Sequence, residues 1–173
     1  MNINQFYNLA KHKMFPLCRS LTGNGNRATL KIIKKYLPSL KIKEISSGTK
    51  VYDWKVPPEW NVKEAYVLDK HGKTIIDFNN NNLHLVGYSH SLNKKVKKKE
   101  LLRHIHSLPE QPNAIPYITS YYKKYWGFCL QDQKRNELIK RYKDNDKFSI
   151  KINSNFKKKI YLTYGEMIIP GES

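Results

Sequence analysis

The chain has 173 residues, a length that suits one domain or two small pieces of a larger one and can bury roughly 70% of its unfolded surface. Hydrophobic residues make up 39% of it and aromatic residues 12%, which is too apolar for a disordered chain. The sequence contains neither the run of roughly 18 apolar residues that a transmembrane helix needs nor an N-terminal apolar signal core. It therefore predicts a cytoplasmic protein with no membrane partner.

The net charge is +18, from 32 lysine and arginine residues against 14 acidic ones. Such an excess raises nucleic acid or another anionic polymer as a partner. Only five of the cations are arginine, however, and lysine is abundant together with asparagine and isoleucine. We favour a solvated lysine surface that reflects the composition of the source genome, with a basic binding module as the alternative.

The first forty residues predict two helices. Phe6, Leu9 and Ala10 share one helical face, and this segment stops at residues 15–16. A turn at residues 22–25 then leads into a helix with Thr22 or Asn24 as N-cap, which ends before Pro38. The same glycine-rich turn could alternatively hold an anion at the positive end of the helix.

Beyond residue 40 the spacing of apolar residues changes from the 3.6-residue period of a helix to the two-residue period of strands. We expect strands at residues 52–56, 65–68, 74–78, 83–88, 148–152 and 160–169. Polar turns are expected at residues 79–82 and 153–155, and a hairpin at Gly72. The lysine run at 94–99 leads into a short helix that contains Ile105, and residues 131–143 predict a polar helix. This order predicts an α+β protein with a mostly antiparallel sheet.

The spacing of the chemically reactive residues predicts neither a catalytic residue nor a metal ligand. No histidine or cysteine pair has the spacing of a zinc site, and no Gly-x-Ser-x-Gly elbow is present. Cys18 and Cys129 are expected to be free thiols, with Cys129 buried and inert in its apolar surroundings.

Six aromatic residues lie between Tyr117 and Phe128, interleaved with two lysines. They could stack on bases or sugars, or they could form part of a core. We favour the core, and expect Trp126 and Phe128 to be buried and the Tyr121–Tyr122 pair to be partly exposed.

Six stretches share the order of a known family. They are residues 17–25 (LCRSLTGNG), 51–60 (VYDWKVPPEW), 82–89 (NLHLVGYS), 106–112 (HSLPEQP), 115–130 (IPYITSYYKKYWGFCL) and 162–171 (LTYGEMIIPG). Together they resemble a bacterial family of zinc aminopeptidase-like proteins that is often associated with surface-polysaccharide gene clusters. The resemblance covers only the N-terminal part of that family.

The resemblance implies a zinc aminopeptidase fold that is interrupted by a β-rich insertion and followed by a winged-helix domain. Residues 1–50 would be a helical segment of the peptidase-like domain, 51–160 the inserted domain, and 161–173 a return strand into the catalytic half. The zinc ligands of the family would follow residue 173. The chain would then be a truncated or split gene product, inactive alone, whose partner is a separately encoded C-terminal half.

Within the matching stretches, eight polar or aromatic residues are candidates for facing a substrate or partner: Arg19, Thr22, Asp53, Trp54, Trp60, His84, Tyr121 and Tyr122. An incomplete peptidase domain also predicts a poorly covered apolar patch at its ends. That patch would contain Ile32, Ile33 and Tyr36 with residues 167–169.

Overall fold

The computed structural model describes residues 2–121, 123–158 and 160–171. These residues divide into two compact units, one formed by the chain up to residue 61 together with the segment from 156 onward, the other by residues 62–155. Among the described residues, no helix combines the length and the apolar character needed to cross a bilayer.

The first unit begins with the two predicted helices. Helix α1 (Ile3–Leu9) starts with a capping box between Asn2 and Gln5 and continues into a π-helical turn, Ala10–Met14, just before Pro16. Helix α2 (Asn24–Tyr36) ends before Pro38, because a residue that precedes proline disfavours the helical conformation.

A two-stranded antiparallel sheet completes the first unit. Strand β1 (Lys41–Ser46) pairs with β10 (Tyr161–Glu166), with Lys41 opposite Glu166 and Ser46 opposite Tyr161. Strand β10 is shorter than the predicted strand 160–169, because residues 167–169 leave the ladder.

The prediction of a strand at residues 52–56 is wrong. The structure has instead a tight hairpin of β2 (Lys50–Val51) and β3 (Trp54–Lys55), with Val51 opposite Trp54. Tyr52 occupies the turn with φ of 53°, a conformation that hairpin turns usually assign to glycine or asparagine. The alternation of aromatic and charged residues imitated a strand, whereas the Tyr52 side chain is 92% exposed at the tip.

The second unit is built on a four-stranded sheet in the order β5-β4-β9-β6. Its strands are β4 (Glu59–Leu68), β5 (Thr74–Asp77), β6 (Leu92–Lys97) and β9 (Lys147–Lys157). Helices α3 (Lys98–Leu102) and α4 (Asp132–Arg141) and a short parallel pair, β7 (Ile105–His106) and β8 (Phe128–Cys129), complete it. The expected α+β class with mostly antiparallel pairing is confirmed, as are the Gly72 hairpin and the polar helix.

Three local predictions in this unit are wrong. Residues 83–88 form no strand: a 3₁₀ turn at Asn82–His84 is followed by isolated bridges to Phe128 and Thr119. The expected turn at 153–155 lies inside β9. Residues 94–97 of the lysine run belong to edge strand β6, and the following helix ends before Ile105, which belongs to β7.

The apolar core is unevenly divided between the units. Most buried hydrophobic side chains belong to the second unit, where Ala65, Val67, Phe128, Phe148 and Ile150 are at most 1% exposed. In the first unit the buried apolar side chains among the described residues are Ala10, Met14, Leu40, Val56 and Trp60. The second unit therefore has the larger core.

Three of the six members of the predicted poorly covered patch are exposed. Ile168 and Ile169 are more than three-quarters exposed and Tyr36 is 48% exposed, whereas Ile32 and Ile33 are half-buried. Met167 is also half-buried.

Candidate functional site

The glycine-rich turn before α2 packs tightly against the chain around it. A Cβ atom at Gly25 would lie 2.1 Å from the carbonyl oxygen of Cys18, and one at Gly23 the same distance from the Ser20 hydroxyl. The prediction of Thr22 or Asn24 as N-cap is wrong, because the N-cap is Gly23. The Thr22 hydroxyl donates instead to the Pro58 carbonyl. The close contacts explain the two glycines without an anion.

A buried carboxylate lies beside this turn. Glu59 is 1% exposed, and its two oxygens accept hydrogen bonds from the Arg27 guanidinium and from the Asn61 amide. Asn61 in turn accepts a bond of 2.9 Å from the backbone N–H of Asn24, whose side chain accepts from Arg27. Every member of this network has a partner, so its chemistry is that of a structural clamp and not of proton transfer.

The predicted site residues of the first unit differ in burial and in their contacts. Trp60 is 1% exposed, and Thr22 is buried in its bond to Pro58. Arg19 is exposed and lies over the Phe15 ring, 6.0 Å from its centroid. Asp53 is exposed in the hairpin turn, and Trp54 is half-buried in β3.

Three histidines in the second unit each form a hydrogen bond between ring Nδ1 and a backbone carbonyl. Nδ1 of His84, His90 and His104 lies 2.7–2.8 Å from the carbonyl oxygen of Cys129, Tyr125 and Trp126, respectively. A carbonyl only accepts, so each Nδ1 carries its proton, and in the neutral ring the lone pair is on Nε2. The segment 125–129 thus fixes both the tautomer and the orientation of the three rings.

The Trp126 ring contacts one of these histidines and a lysine. The His104 ring stacks on it with centroids 3.7 Å apart, and the Lys94 ammonium lies 5.0 Å from the Trp126 centroid. His106 Nε2 shares a hydrogen bond of 2.9 Å with the Tyr125 hydroxyl. Burial and the nearby His104 lower the pKa of His106 below 6.5, and burial raises the pKa of Tyr125, so both groups are neutral at pH 7.

Two tyrosines with strained backbones lie together in this unit. Tyr88 and Tyr121 have φ of 65° and 43°, and their rings are 5.5 Å apart. Non-glycine residues in this region cost about 1–3 kcal/mol and are concentrated at functional sites. Tyr121 is 41% exposed as predicted, Trp126 and Phe128 are buried as predicted, and Tyr122 lies outside the described residues.

No trio of histidine, cysteine, aspartate or glutamate side chains that could hold a metal ion comes together in the described part of the chain. The zinc implied by the resemblance therefore has no fitting donor set among these residues.

Both thiols are expected to be unreactive in the folded protein. Burial raises the pKa of Cys129 to about 12 and that of Cys18 to about 11, so almost no thiolate is present at pH 8. An aromatic disulfide reagent at pH 8 should label neither thiol within minutes, and both after unfolding in guanidinium. Fast labelling of Cys129 in the native protein would contradict its placement in the core.

Asp69 anchors the β4–β5 hairpin to the end of α4. One oxygen accepts from the backbone N–H groups of His71 and Lys73, both at 2.9 Å, and the other accepts from the Tyr142 hydroxyl at 2.9 Å. Burial works to raise the pKa of Asp69, but these donors outweigh it and hold the pKa below 3.8.

The pH dependence of Tyr142→Phe tests this contact. Because the folded-state pKa of Asp69 is depressed, its stabilisation is present above the unfolded value of 3.8 and is lost as the pH falls through the folded pKa. The variant removes one donor, so we expect it to be less stable than the parent at pH 7 and the difference to shrink below pH 3.8. Urea unfolding from pH 7 to pH 2.5 measures this. A difference that does not vary with pH would contradict the contact.

A small pocket opens between this hairpin and α4. Its volume is about 140 Å³, and its lining includes Lys73 and Thr74 from the hairpin and Lys134, Glu137 and Arg141 from α4, with Leu130 between them. Leu130 is 1% exposed and gives the pocket an apolar floor.

A larger apolar groove lies in the first unit. It has a volume of about 330 Å³ and is lined only by apolar and aromatic side chains: Phe6, Leu9, Met14, Ile33, Tyr36 and Leu37. Phe6, Tyr36 and Leu37 are each more than 40% exposed, so the groove is open to solvent.

A family model described as a domain of unknown function, DUF2172, matches residues 59–155, more than half of the chain. The chain belongs to the DUF2172 family. The matched segment nearly coincides with the second unit, so the histidine cluster and the hairpin–α4 pocket are both features of the DUF2172 segment. His84, Tyr121 and Trp60 lie inside it, and Arg19, Thr22, Asp53 and Trp54 lie before it.

Two comparisons extend over nearly the whole chain. It is 46% identical, over 97% of its length, to a Clostridium acetobutylicum protein named for polysaccharide biosynthesis and for an aminopeptidase-like domain, and it spans 37% of that relative. A crystal structure from Clostridium acetobutylicum, of a protein named as a peptidase, matches 94% of the chain at 46% identity with a TM-score of 0.82; the match covers 36% of that structure. The resemblance to the aminopeptidase-like family is confirmed.

Several structural residues were missed by the sequence analysis. The Arg27–Glu59 pair joins positions 32 residues apart, and no local pattern indicates it. The pocket residues of α4 could have been found, because positions 134, 137, 138 and 141 share one face of a helix. The roles of the eight candidate residues toward a substrate or partner stay a prediction.

Proposed function

We propose that this chain is the N-terminal part of an aminopeptidase-like protein linked to surface-polysaccharide biosynthesis, acting in the cytoplasm. Its first unit would contribute helices and strands to the peptidase-like domain, and its DUF2172 segment would be an accessory module. The similarity of 97% of the chain to a relative with that name, at 46% identity, carries the proposal.

The uneven core supports this assignment. The first unit has few buried apolar side chains and an open apolar groove, while Ile168 and Ile169 are exposed at the other end of the chain. Contiguous exposed apolar area is typical of a surface that another polypeptide covers. The occupant we infer is the remaining part of the peptidase-like domain.

The small sheet of the first unit also supports the assignment to a larger peptidase-like domain. Strand β1 has only β10 as its neighbour among the described strands, and a two-stranded sheet is at best marginally stable in water. Further strands of a peptidase-like sheet would pair with its free edges. The zinc ligands of the family would come from that remaining part, where a bound zinc would polarise a carbonyl or activate a water.

The test expresses the chain together with a second polypeptide, the part of the Clostridium acetobutylicum relative outside the matched segment. We expect a one-to-one complex in size-exclusion chromatography with light scattering. The complex should hold zinc and hydrolyse aminoacyl p-nitroanilides, and the isolated chain should do neither. One tightly held zinc in the isolated chain, or a monodisperse chain that forms no complex, would overturn the proposal.

Matched variants locate the contact. Phe6→Ser with Tyr36→Ser removes two exposed side chains of the groove and should weaken the complex at least tenfold. Lys31→Ser, an exposed position of α2 that does not line the groove, should leave the affinity within a factor of two.

A further inference from the structure

One face of α4 and the tip of the β4–β5 hairpin form a pocket with a defined chemistry. Lys134, Glu137 and Arg141 line it from the helix, and Lys73 lines it from the hairpin. Three cations and one carboxylate thus surround a floor formed by Leu130 and Leu138, which are 1% and 3% exposed.

The three cations are not neutralised within the described part of the chain. Lys73, Lys134 and Arg141 have no carboxylate within ion-pair distance among these residues. The Arg141 guanidinium lies 5.4 Å from the centroid of the Tyr142 ring, and the Tyr142 hydroxyl is bound to Asp69. An anion that enters the pocket therefore gains charge-assisted bonds without breaking an ion pair.

The end of α4 that carries Arg141 is held in place. The buried Lys98 ammonium donates to the carbonyls of Ile139 and Tyr142, at 3.2 and 2.6 Å, which satisfies backbone groups at the C-terminus of the helix. Together with the Asp69 anchor, this holds the backbone of both walls of the pocket in place, while the side chains of Lys73, Lys134, Glu137 and Arg141 are exposed. Pre-organisation of this kind lowers the ordering cost of binding.

We propose that this pocket binds one carboxylate-bearing sugar residue of an anionic polysaccharide. The cations recognise the carboxylate, the leucine floor packs against the C–H face of the sugar ring, and Thr74 and Glu137 bond to its hydroxyl groups. A volume of about 140 Å³ is smaller than the roughly 300 Å³ of drug-sized pockets, so it accepts a single residue while the polymer continues outside.

Glu137 favours a sugar over a nucleic acid. A carboxylate accepts hydrogen bonds from the several hydroxyl groups of a sugar, whereas phosphodiester-binding sites are usually extended and uniformly basic, unlike this small pocket of mixed charge. The link to polysaccharide biosynthesis rests on the proposed function, whereas the selectivity for a carboxylate does not. The proposal concerns binding alone.

The test titrates the full chain with trigalacturonate, and separately with its methyl ester as the uncharged match. We expect trigalacturonate to shift the NMR amide resonances of Thr74, Ile75 and Leu138, and the ester to bind at least tenfold more weakly. Lys134→Gln with Arg141→Gln should weaken trigalacturonate binding at least tenfold, with an unchanged circular dichroism spectrum. Lys140→Gln, an exposed lysine of α4 that does not line the pocket, should change it less than twofold.

Equal binding of the acid and the ester, shifts confined to other residues, or no binding would overturn the proposal. Tighter binding of oligothymidylate at the same residues would replace it with a nucleic-acid site. Because the experiment uses only this chain, its outcome is independent of complex formation with the remaining peptidase-like part. Failure here and failure of the proposed function are therefore distinguishable.

Discussion

Replacing Trp126 by alanine is expected to lower the free energy of unfolding of the unit formed by residues 62–155 by about 3–5 kcal/mol. Trp126 is 6% exposed, stacks on His104 and lies beside Phe128 with centroids 6.5 Å apart. Alanine would leave a cavity and remove the face on which His104 and Lys94 are placed. Urea unfolding followed by circular dichroism measures the loss.

Two further variants separate the loss of a buried, packed ring from the loss of any aromatic ring. Trp126→Phe keeps an aromatic face and should lose less than half as much stability. Tyr52→Ala, at a side chain that is 92% exposed and in a left-handed backbone conformation that tyrosine and alanine both disfavour, should change stability by about 0.5 kcal/mol or less. A Trp126→Ala protein that unfolds like the parent but no longer binds a saccharide would assign the ring to a binding surface.

Replacing Arg27 by alanine is expected to destabilise the first unit by about 3 kcal/mol, because it leaves the Glu59 carboxylate buried without its cation. Glu59 is 1% exposed and the Arg27 side chain 23% exposed, which places the loss near the lower end of the range for buried pairs. Thermal and urea unfolding at pH 7 measure it.

The double variant Arg27→Ala with Glu59→Gln tests the cause. Removing the charge along with its partner should recover part of the stability, since a neutral amide is less costly to bury than an unpaired carboxylate. Losses that simply add would show that the two groups act independently and that the clamp is misassigned.

The fold class follows from local patterns, whereas several elements depend on distant partners. The Gly72 hairpin and helix α4 each carry their own signal, a turn glycine and a 3.6-residue period. Strand β6 has three lysines and only Val96 buried, so its composition indicates a solvated segment. It is a strand because it lies at the edge of the sheet against β9, where lysine is tolerated and discourages pairing with another chain.

The site was less predictable than the fold. Burial of the Trp126–Phe128 segment follows from its apolar composition. The three histidines that bind backbone carbonyls of residues 125–129 are 22 to 45 residues away from their acceptors in sequence, so no local pattern indicates these contacts. Nothing in the residues around Tyr88 or Tyr121 indicates a positive φ, because tyrosine disfavours it and only tertiary contacts can impose it.

The second unit begins and ends on neighbouring strands, β4 and β9. Glu64, just after its start, contacts Lys151 near its end at 2.8 Å. A segment whose two ends lie side by side can be inserted into a surface turn of a host protein with little displacement of the host backbone. The coding region for residues 62–155 is thus suited to transfer into other genes by recombination. It is equally suited to replacement by the homologous segment of a relative, with the junctions in β4 and β9.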